Sequence, residues 1–188
     1  MISPCGCLTL LLAMIYLETE RLFFRSHEPQ DEPEFVKMHT DPEVRRYVGG
    51  CPWPVEEAQR RFRNGYIGRP NETYGLWATI LKSEQRYIGA CGITSPPNQP
   101  GQYLGYYISR PYWRLGLASE ACKAFLDDGF ARLGLPCILA DVEQGHAVSE
   151  HILRKLGFRH VSDEQVPNSA RIISLYELSR EDWRKIKA

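Results

Sequence analysis

The chain has 188 residues, with 23 basic residues against 23 acidic ones and six cysteines. That length suits one domain with a core large enough to stand without disulfides or metals. The neutral balance excludes a global field for nucleic acid or an anionic membrane, so any bound anion must be met by local donors.

Cys5, Cys7, Cys51, Cys91, Cys122 and Cys137 form no Cys-x-x-Cys pair and stand at no zinc-finger spacing from a histidine. The expectation is a reduced, cytoplasmic protein with no metal. The apolar run Leu8–Ile15 is too short to span a bilayer and lacks the basic flank and cleavage site of a signal peptide. Met14 is read as the physiological start, with residues 1–13 as an extension outside the fold and residues 14–188 as the domain.

Tyr16–Phe24 reads as an opening strand, and Pro29–Pro33 as a turn leading to a helix over Glu34–Thr40. Asp41-Pro42 has the form of a cap followed by Pro at the first helical position, giving a short helix that Gly49-Gly50 ends. Pro52-Trp53-Pro54 is a rigid corner before a basic amphipathic helix over Val55–Ile67, whose arginines read as a solvated face. Tyr74–Leu81 and Arg86–Thr94 form a hairpin, followed by the strand Tyr103–Ile108. A long amphipathic helix reaches Leu133, and Cys137–Val142 has the almost wholly apolar character of a strand buried on both faces. A helix over Val148–Leu156 closes at Gly157, the strands Phe158–Gln165 and Arg171–Leu178 follow, and Ser179-x-x-Asp182 opens a terminal helix. A meander that gives way to alternating strands and helices is a mixed α/β pattern. His27, His39, His151 and His160 have no partner pattern and read as surface residues.

The segment Tyr112–Ser119, Tyr-Trp-Arg-Leu-Gly-Leu-Ala-Ser, lies between a strand and that long helix. A helix that restarts at a Gly presents unpaired N–H groups at its first turn, and with the helix dipole these suit phosphate oxygens. The candidate donors are the backbones of Leu115, Gly116, Leu117, Ala118 and Ser119, with Arg114 as a side-chain cation. The Lys-Ser/Thr of a P-loop is absent, and the segment follows too late a strand for a dinucleotide fingerprint.

The segment resembles the acyl-CoA-binding turn of the GNAT superfamily of N-acetyltransferases, Gln/Arg-x-x-Gly-x-Gly/Ala. Val148-Ser149 through Leu153-x-Lys155-Leu156-Gly157-Phe158 is similar to the family's later motif, Asn-x-x-Ser-x-x-x-Leu-x-Lys-x-Gly-Phe, and Tyr87–Gly92 to its third strand. Leu17–Leu22 and Leu178–Trp183 resemble the ends of the RimJ/RimL-like branch, which acetylates ribosomal-protein N-termini. The resemblance, over about Ile15 to Trp183, implies a single-domain α/β fold with a mixed sheet of six to seven strands. It further implies a splayed strand pair that holds acetyl-CoA as co-substrate.

The implied reaction is acetyl transfer from the thioester to a primary amine, on a protein N-terminus or a small molecule, by direct attack. Backbone N–H groups near Tyr106 and Ile108 can serve the pantetheine arm or the oxyanion. Ser149 matches the family's Ser, for which the resemblance implies a contact at the thiol end. A favoured helix-start Ser is the plainer reading.

Trp113 takes the Gln/Arg position, His146 stands where the motif has Asn, and Tyr103 stands where many relatives carry a Glu on the fourth strand. Without that Glu, a lysine side chain would cost roughly 4 kcal/mol to deprotonate near pH 7.4, against under about 1 kcal/mol for an α-amine. His146 is a substitute base or a loop residue filling the Asn slot. Tyr107 and Tyr112, like Tyr106, either reach the cleft or pack, and Trp53 either lines the acceptor site or anchors the core. The expected partners are an amine-bearing acceptor, with no nucleic acid and no membrane, acting as monomer or homodimer. The rival readings are a CoA-binding module without catalysis and a plain nucleotide-binding domain.

Overall fold

The computed structural model describes residues 15–67 and 73–187. The expectation placing residues 1–13 outside the fold concerns residues that lie outside the described ones.

The strands are β1 (Ile15–Glu18), β2 (Leu22–Arg25), β3 (Trp77–Leu81), β4 (Arg86–Thr94), β5 (Tyr103–Ile108), β6 (Cys137–Glu143), β7 (Arg159–Gln165) and β8 (Ile172–Ser179). The helices are α1 (Glu32–Thr40), α2 (Pro42–Arg45), α3 (Val55–Gly65), α4 (Leu117–Ala131), α5 (Ala147–Lys155) and α6 (Arg180–Lys187). The strands form one sheet in the order β1-β2-β3-β4-β5-β6-β8-β7. Eight strands replace the expected six to seven because the opening strand is two. The Thr19 hydroxyl accepts the Leu22 N–H at 3.0 Å, folding 16–24 into an antiparallel hairpin. Short polar turns of this kind bend a chain that local alternation alone would extend.

The mixed sheet is covered on both faces. On one face α4 lays Leu117, Ala121, Cys122, Phe125 and Leu126 against Ile88, Leu104, Ile108 and Ile138. α5 adds Leu153 to the same cluster. On the other face Phe35 and Met38 of α1 and Phe62 of α3 pack on Ala78, Ile80 and Tyr87, with Trp53 and Tyr107 at the margin. Among the described residues no helix is long and apolar enough to cross a membrane.

The feature that positions the site is the junction between β5 and β6. These strands run parallel, and Tyr103↔Leu139 is the sole registered pair. The Leu139 N–H donates to the Gln102 carbonyl at 2.8 Å, and beyond this point the strands part. β4 and β5, by contrast, keep an unbroken register from Thr94↔Tyr103 to Gly89↔Ile108.

Two histidines are buried, against expectation. His39 is 1% exposed and stacks on Trp53 with centroids 4.5 Å apart, and His27 is 5% exposed against Tyr66 and Phe62. Phe35, Met38 and His39 follow the helical i, i+3, i+4 spacing, so His39 belongs to the apolar stripe of α1. Both ring nitrogens of His39 and the Nε2 of His27 lack hydrogen-bond partners. Desolvation pulls both pKa values below the ordinary 6.5, His27 to about 4 and His39 to about 3. His151 and His160 are exposed, as expected.

A neutral buried imidazole stabilises the fold fully above the unfolded pKa. Below about pH 6.5 the unfolded chain takes up protons that the folded chain refuses, so stability falls as pH drops toward the folded values. Each pKa unit is worth about 1.4 kcal/mol, so the loss reaches a few kcal/mol. Tm should therefore fall between about pH 7 and pH 4.5. In His39→Phe, which keeps a planar ring against Trp53, the fall should be smaller. An equal fall in the variant would clear His39 of the effect.

Candidate active site

The turn after β5 is a short 3-10 segment, Arg110–Tyr112, followed by two residues with positive φ, Arg114 at 63° and Gly116 at 77°. Gly116 is the N-cap of α4 and offers no side-chain cap. The first backbone bond of the helix runs from the Glu120 N–H to the Gly116 carbonyl at 3.1 Å. The N–H groups of Leu117, Ala118 and Ser119 precede it, so they point from the positive end of the helix dipole with no partner within the helix. Arg114 is exposed, with no ion-pair partner among the described residues. The chain around Gly116 thus has the donors and cations that a diphosphate requires.

A second cation arrives from the far end of the chain. Arg21, in the β1–β2 turn, donates its Nη1 to the Leu115 carbonyl at 2.8 Å and its Nε to Glu120 at 2.6 Å. Glu120 also accepts the Thr19 hydroxyl at 2.6 Å and the Arg21 N–H at 3.0 Å. A Cβ placed on Gly116 would lie 3.5 Å from the Arg21 Nη2, so this guanidinium stands beside the turn. Trp113, in the Gln/Arg position, braces the turn instead of facing the anion, since its indole N–H donates to the Ile108 carbonyl at 2.6 Å.

Strand alternation directs the Tyr106 and Ile108 N–H groups away from β4, since the Ser109 N–H goes to Ile88 and Tyr107 is registered with Ala90. They face the widening gap, where no residue of β6 is registered opposite them. On the α4 side of the gap the Tyr106 hydroxyl and the buried Ser149 hydroxyl are 2.6 Å apart. Burial pushes the Tyr106 phenol well up, so it stays protonated and able to donate. Ser149 is therefore fixed by β5 and points toward the gap rather than capping its own helix.

Tyr103 and His146 are not part of that pair. Tyr103 lies on the opposite sheet face, where burial and then the nearby Asp141 and Glu164 charges raise its pKa. Asp141 of β6 is solvent-reachable, yet enough protein surrounds it that desolvation, and then Glu164, raise its pKa. His146 precedes α5 and lies flat on Tyr47, centroids 4.4 Å apart and planes 6° apart. Desolvation lowers its pKa against the opposing pull of Glu143 and Glu150, so the ring is neutral at pH 7. Tyr112 is held away from the gap by Glu84, to which its hydroxyl donates at 2.8 Å. A cavity of about 460 Å3 under Tyr74 and Trp77 lies at the far end of β5 from the phosphate turn.

A helix-flanked sheet parted between parallel strands, beside an uncapped helix start, defines the N-acetyltransferase class of α/β folds. The acetyltransferase (GNAT) domain model matches residues 21–159, and the chain belongs to that family. It is 32% identical over 150 residues to an uncharacterized N-acetyltransferase p20 of Bacillus licheniformis, covering 76% of this chain and 82% of that protein. It is also similar to the FsC-acetyl coenzyme A-N(2)-transacetylase of Aspergillus fumigatus, at 22% identity over 81% of this chain and 71% of that one. In fold it resembles a GNAT-family acetyltransferase of Bacillus anthracis, with TM-score 0.77, 22% identity and coverage of 89% and 99%. It likewise resembles RimL, a ribosomal L7/L12 α-N-protein acetyltransferase in complex with coenzyme A, with TM-score 0.67, 12% identity and coverage of 88% and 98%. The protein is an acyltransferase of a family that uses acetyl-CoA.

Arg21 and Asp141 carry no motif signal, because each is brought to the site by pairing distant in sequence. For Asp141 the strict face alternation of β6 was the available clue. Loss of the Arg21 clamp should loosen the phosphate turn: Arg21→Gln is expected to raise KM for acetyl-CoA about three- to tenfold, as for loss of charge-assisted bonds. Steady-state kinetics with varied acetyl-CoA checks this, and an unchanged KM would show that Glu120 alone holds the turn.

Proposed function

We propose that the protein transfers the acetyl group of acetyl-CoA to a primary amine by direct attack, without a covalent enzyme intermediate. The amine belongs to a protein N-terminus or a small molecule. The amine nitrogen bonds to the thioester carbonyl carbon, the carbon–sulfur bond breaks, the amine loses a proton and the departing thiolate gains one. The observation that carries this reading is the Tyr106–Ser149 hydroxyl pair set in the gap between β5 and β6, beside the uncapped start of α4.

In this reading the Leu115–Ser119 backbone, Arg114 and Arg21 hold the diphosphate. The Tyr106 and Ile108 N–H groups serve the pantetheine arm and the carbonyl oxygen. The Ser149 hydroxyl, with the Tyr106 phenol behind it, meets the thiolate as it leaves. Asp141, an exposed acid on β6 whose raised pKa favours proton uptake, suits the role of receiving the amine proton. His146 is the weaker candidate, since burial lowers its affinity for a proton. The likeness of the chain ends to the RimJ/RimL-like branch favours an α-amine, whose low pKa also eases deprotonation. The free thiols of Cys51, Cys91, Cys122 and Cys137 suit a cytoplasmic enzyme.

Thiol release from acetyl-CoA, measured across peptides, polyamines and amino sugars, tests the activity. Gly116→Glu should abolish CoA binding, because it forces a side chain onto a backbone at φ 77° and sets a carboxylate where phosphates would lie. Ser149→Ala and Asp141→Asn should each slow turnover by about tenfold or more while CoA still binds, in the range of single acid–base contributions. Normal CoA binding with no thiol release from any amine would instead favour a binding module.

A further inference from the structure

Arg45 ends α2 on the acceptor face of the sheet and is 6% exposed. Its guanidinium carbon lies 4.2 Å over the Trp53 ring, and its Nε donates to the Cys51 carbonyl at 3.2 Å. Among the described residues its side chain has no carboxylate partner and donates no other hydrogen bond.

Its neighbours are treated differently. Arg25, equally buried, is neutralised by Asp31 through two bonds of 2.7 and 2.8 Å. Arg61, which shares the Trp53 ring at 4.5 Å, is held by Glu57 at 2.6 Å, and Arg171 by Glu143 at 2.6 Å. Desolvation first, and then Arg61 and Arg171, depress the pKa of Arg45, so its surroundings favour an incoming negative charge. A buried charge left without an opposite charge is costly unless something pairs with it.

The geometry leaves access. A Cβ on Gly49 would lie 2.6 Å from the Arg45 Nη2, so the glycine keeps that flank of the fork clear. A groove of about 370 Å3 along Trp53, Arg61, Asn64 and Tyr66 reaches the ring on which Arg45 stacks. Tyr107, next to Tyr106 on β5, reaches the same cluster through His39, centroids 5.6 Å apart. Tyr107, one residue along β5 from Tyr106, is thus linked to the Arg45 fork through His39 and Trp53.

We propose that Arg45 is the specificity-determining cation of the acceptor site and receives an anionic oxygen group, carboxylate or phosphate, carried by the amine substrate. The planar fork matches such groups through paired N–H donors. This rests on the acetyltransferase reading above: the acceptor is an amine with an acid group close by, rather than a polyamine or a neutral amino sugar.

Matched acceptors test it by thiol release: an α-amino acid against its amide for carboxylate, and O-phosphoethanolamine against ethanolamine for phosphate. In at least one pair the anionic member should show a kcat/KM ten- to hundredfold higher, the scale of a hydrogen bond to a charged group. Arg45→Met should collapse that ratio toward one. Arg45→Lys, which keeps the charge and serves if the first variant fails to fold, should lower it severalfold. Equal rates within both pairs, or a ratio unchanged in the variants, would overturn the proposal. Should no amine release thiol, the acetyltransferase reading falls by itself. A thermal shift of the CoA-loaded protein by the anionic but not the neutral member, lost in the Arg45 variants, still decides the Arg45 claim in that case.

Discussion

One parallel pair of residues, Tyr103 and Leu139, joins two well-paired half-sheets. On one side β4 and β5 stay in register along the whole of β5, and on the other β6 and β8 pair from Cys137↔Ser179 to Glu143↔Ile173. Each lip of the gap is therefore rigid, while the backbone groups facing inward have no strand to satisfy them. Unpaired backbone donors in the middle of a sheet are expensive unless water or a ligand meets them. The site is an interruption of the ladder, kept open by the stiffness of its two edges.

The two faces of that interruption differ in chemistry because side chains alternate along β5. Tyr106 turns toward α4 and α5 and is locked to Ser149, in surroundings of Leu, Ile and Phe. Tyr107 turns toward α1 and α3, where His39, Trp53 and Arg45 make an aromatic and cationic wall. A thioester entering between the strands would have a dry, protonated hydroxyl pair on one side and a polar acceptor chamber on the other. One residue of offset along a strand separates Tyr106, bonded to Ser149, from Tyr107, packed on His39.

Much of this was legible in the sequence where a local rule applies. The helix start at Gly116, Gly157 at the end of α5, the Asp41 cap and the Ser179-x-x-Asp182 box depend on residues a few positions apart, and all are seen as expected. The hairpin break at Thr19 was marked only by the polar run Glu18–Arg21 between two apolar stretches, a signal too short to separate two strands from one. The burial of His39 was legible in spacing but masked by residue type, since a histidine on an apolar stripe looks like a polar interruption. Arg21 and Arg45 left no trace, as their surroundings depend on contacts across the sheet, and Asp141 left only its place in the face alternation of β6. The same limit applies to Ser149: its helix-start position suggests a cap, whereas its actual partner is Tyr106 on another element.

The bonds from Thr19 and Arg21 to Glu120 span 101 and 99 residues of sequence. The phosphate turn is thus completed by a hairpin that leaves the ribosome long before it. Closing so long a loop is among the slow events of folding, since its entropy is lost before its contacts are gained. The N-terminal hairpin must wait for most of the chain, and the turn at Gly116 is braced only when the two meet. Ligand at the cradle would in turn hold the hairpin in place, which ties the order of the chain's beginning to occupancy of a site near its middle.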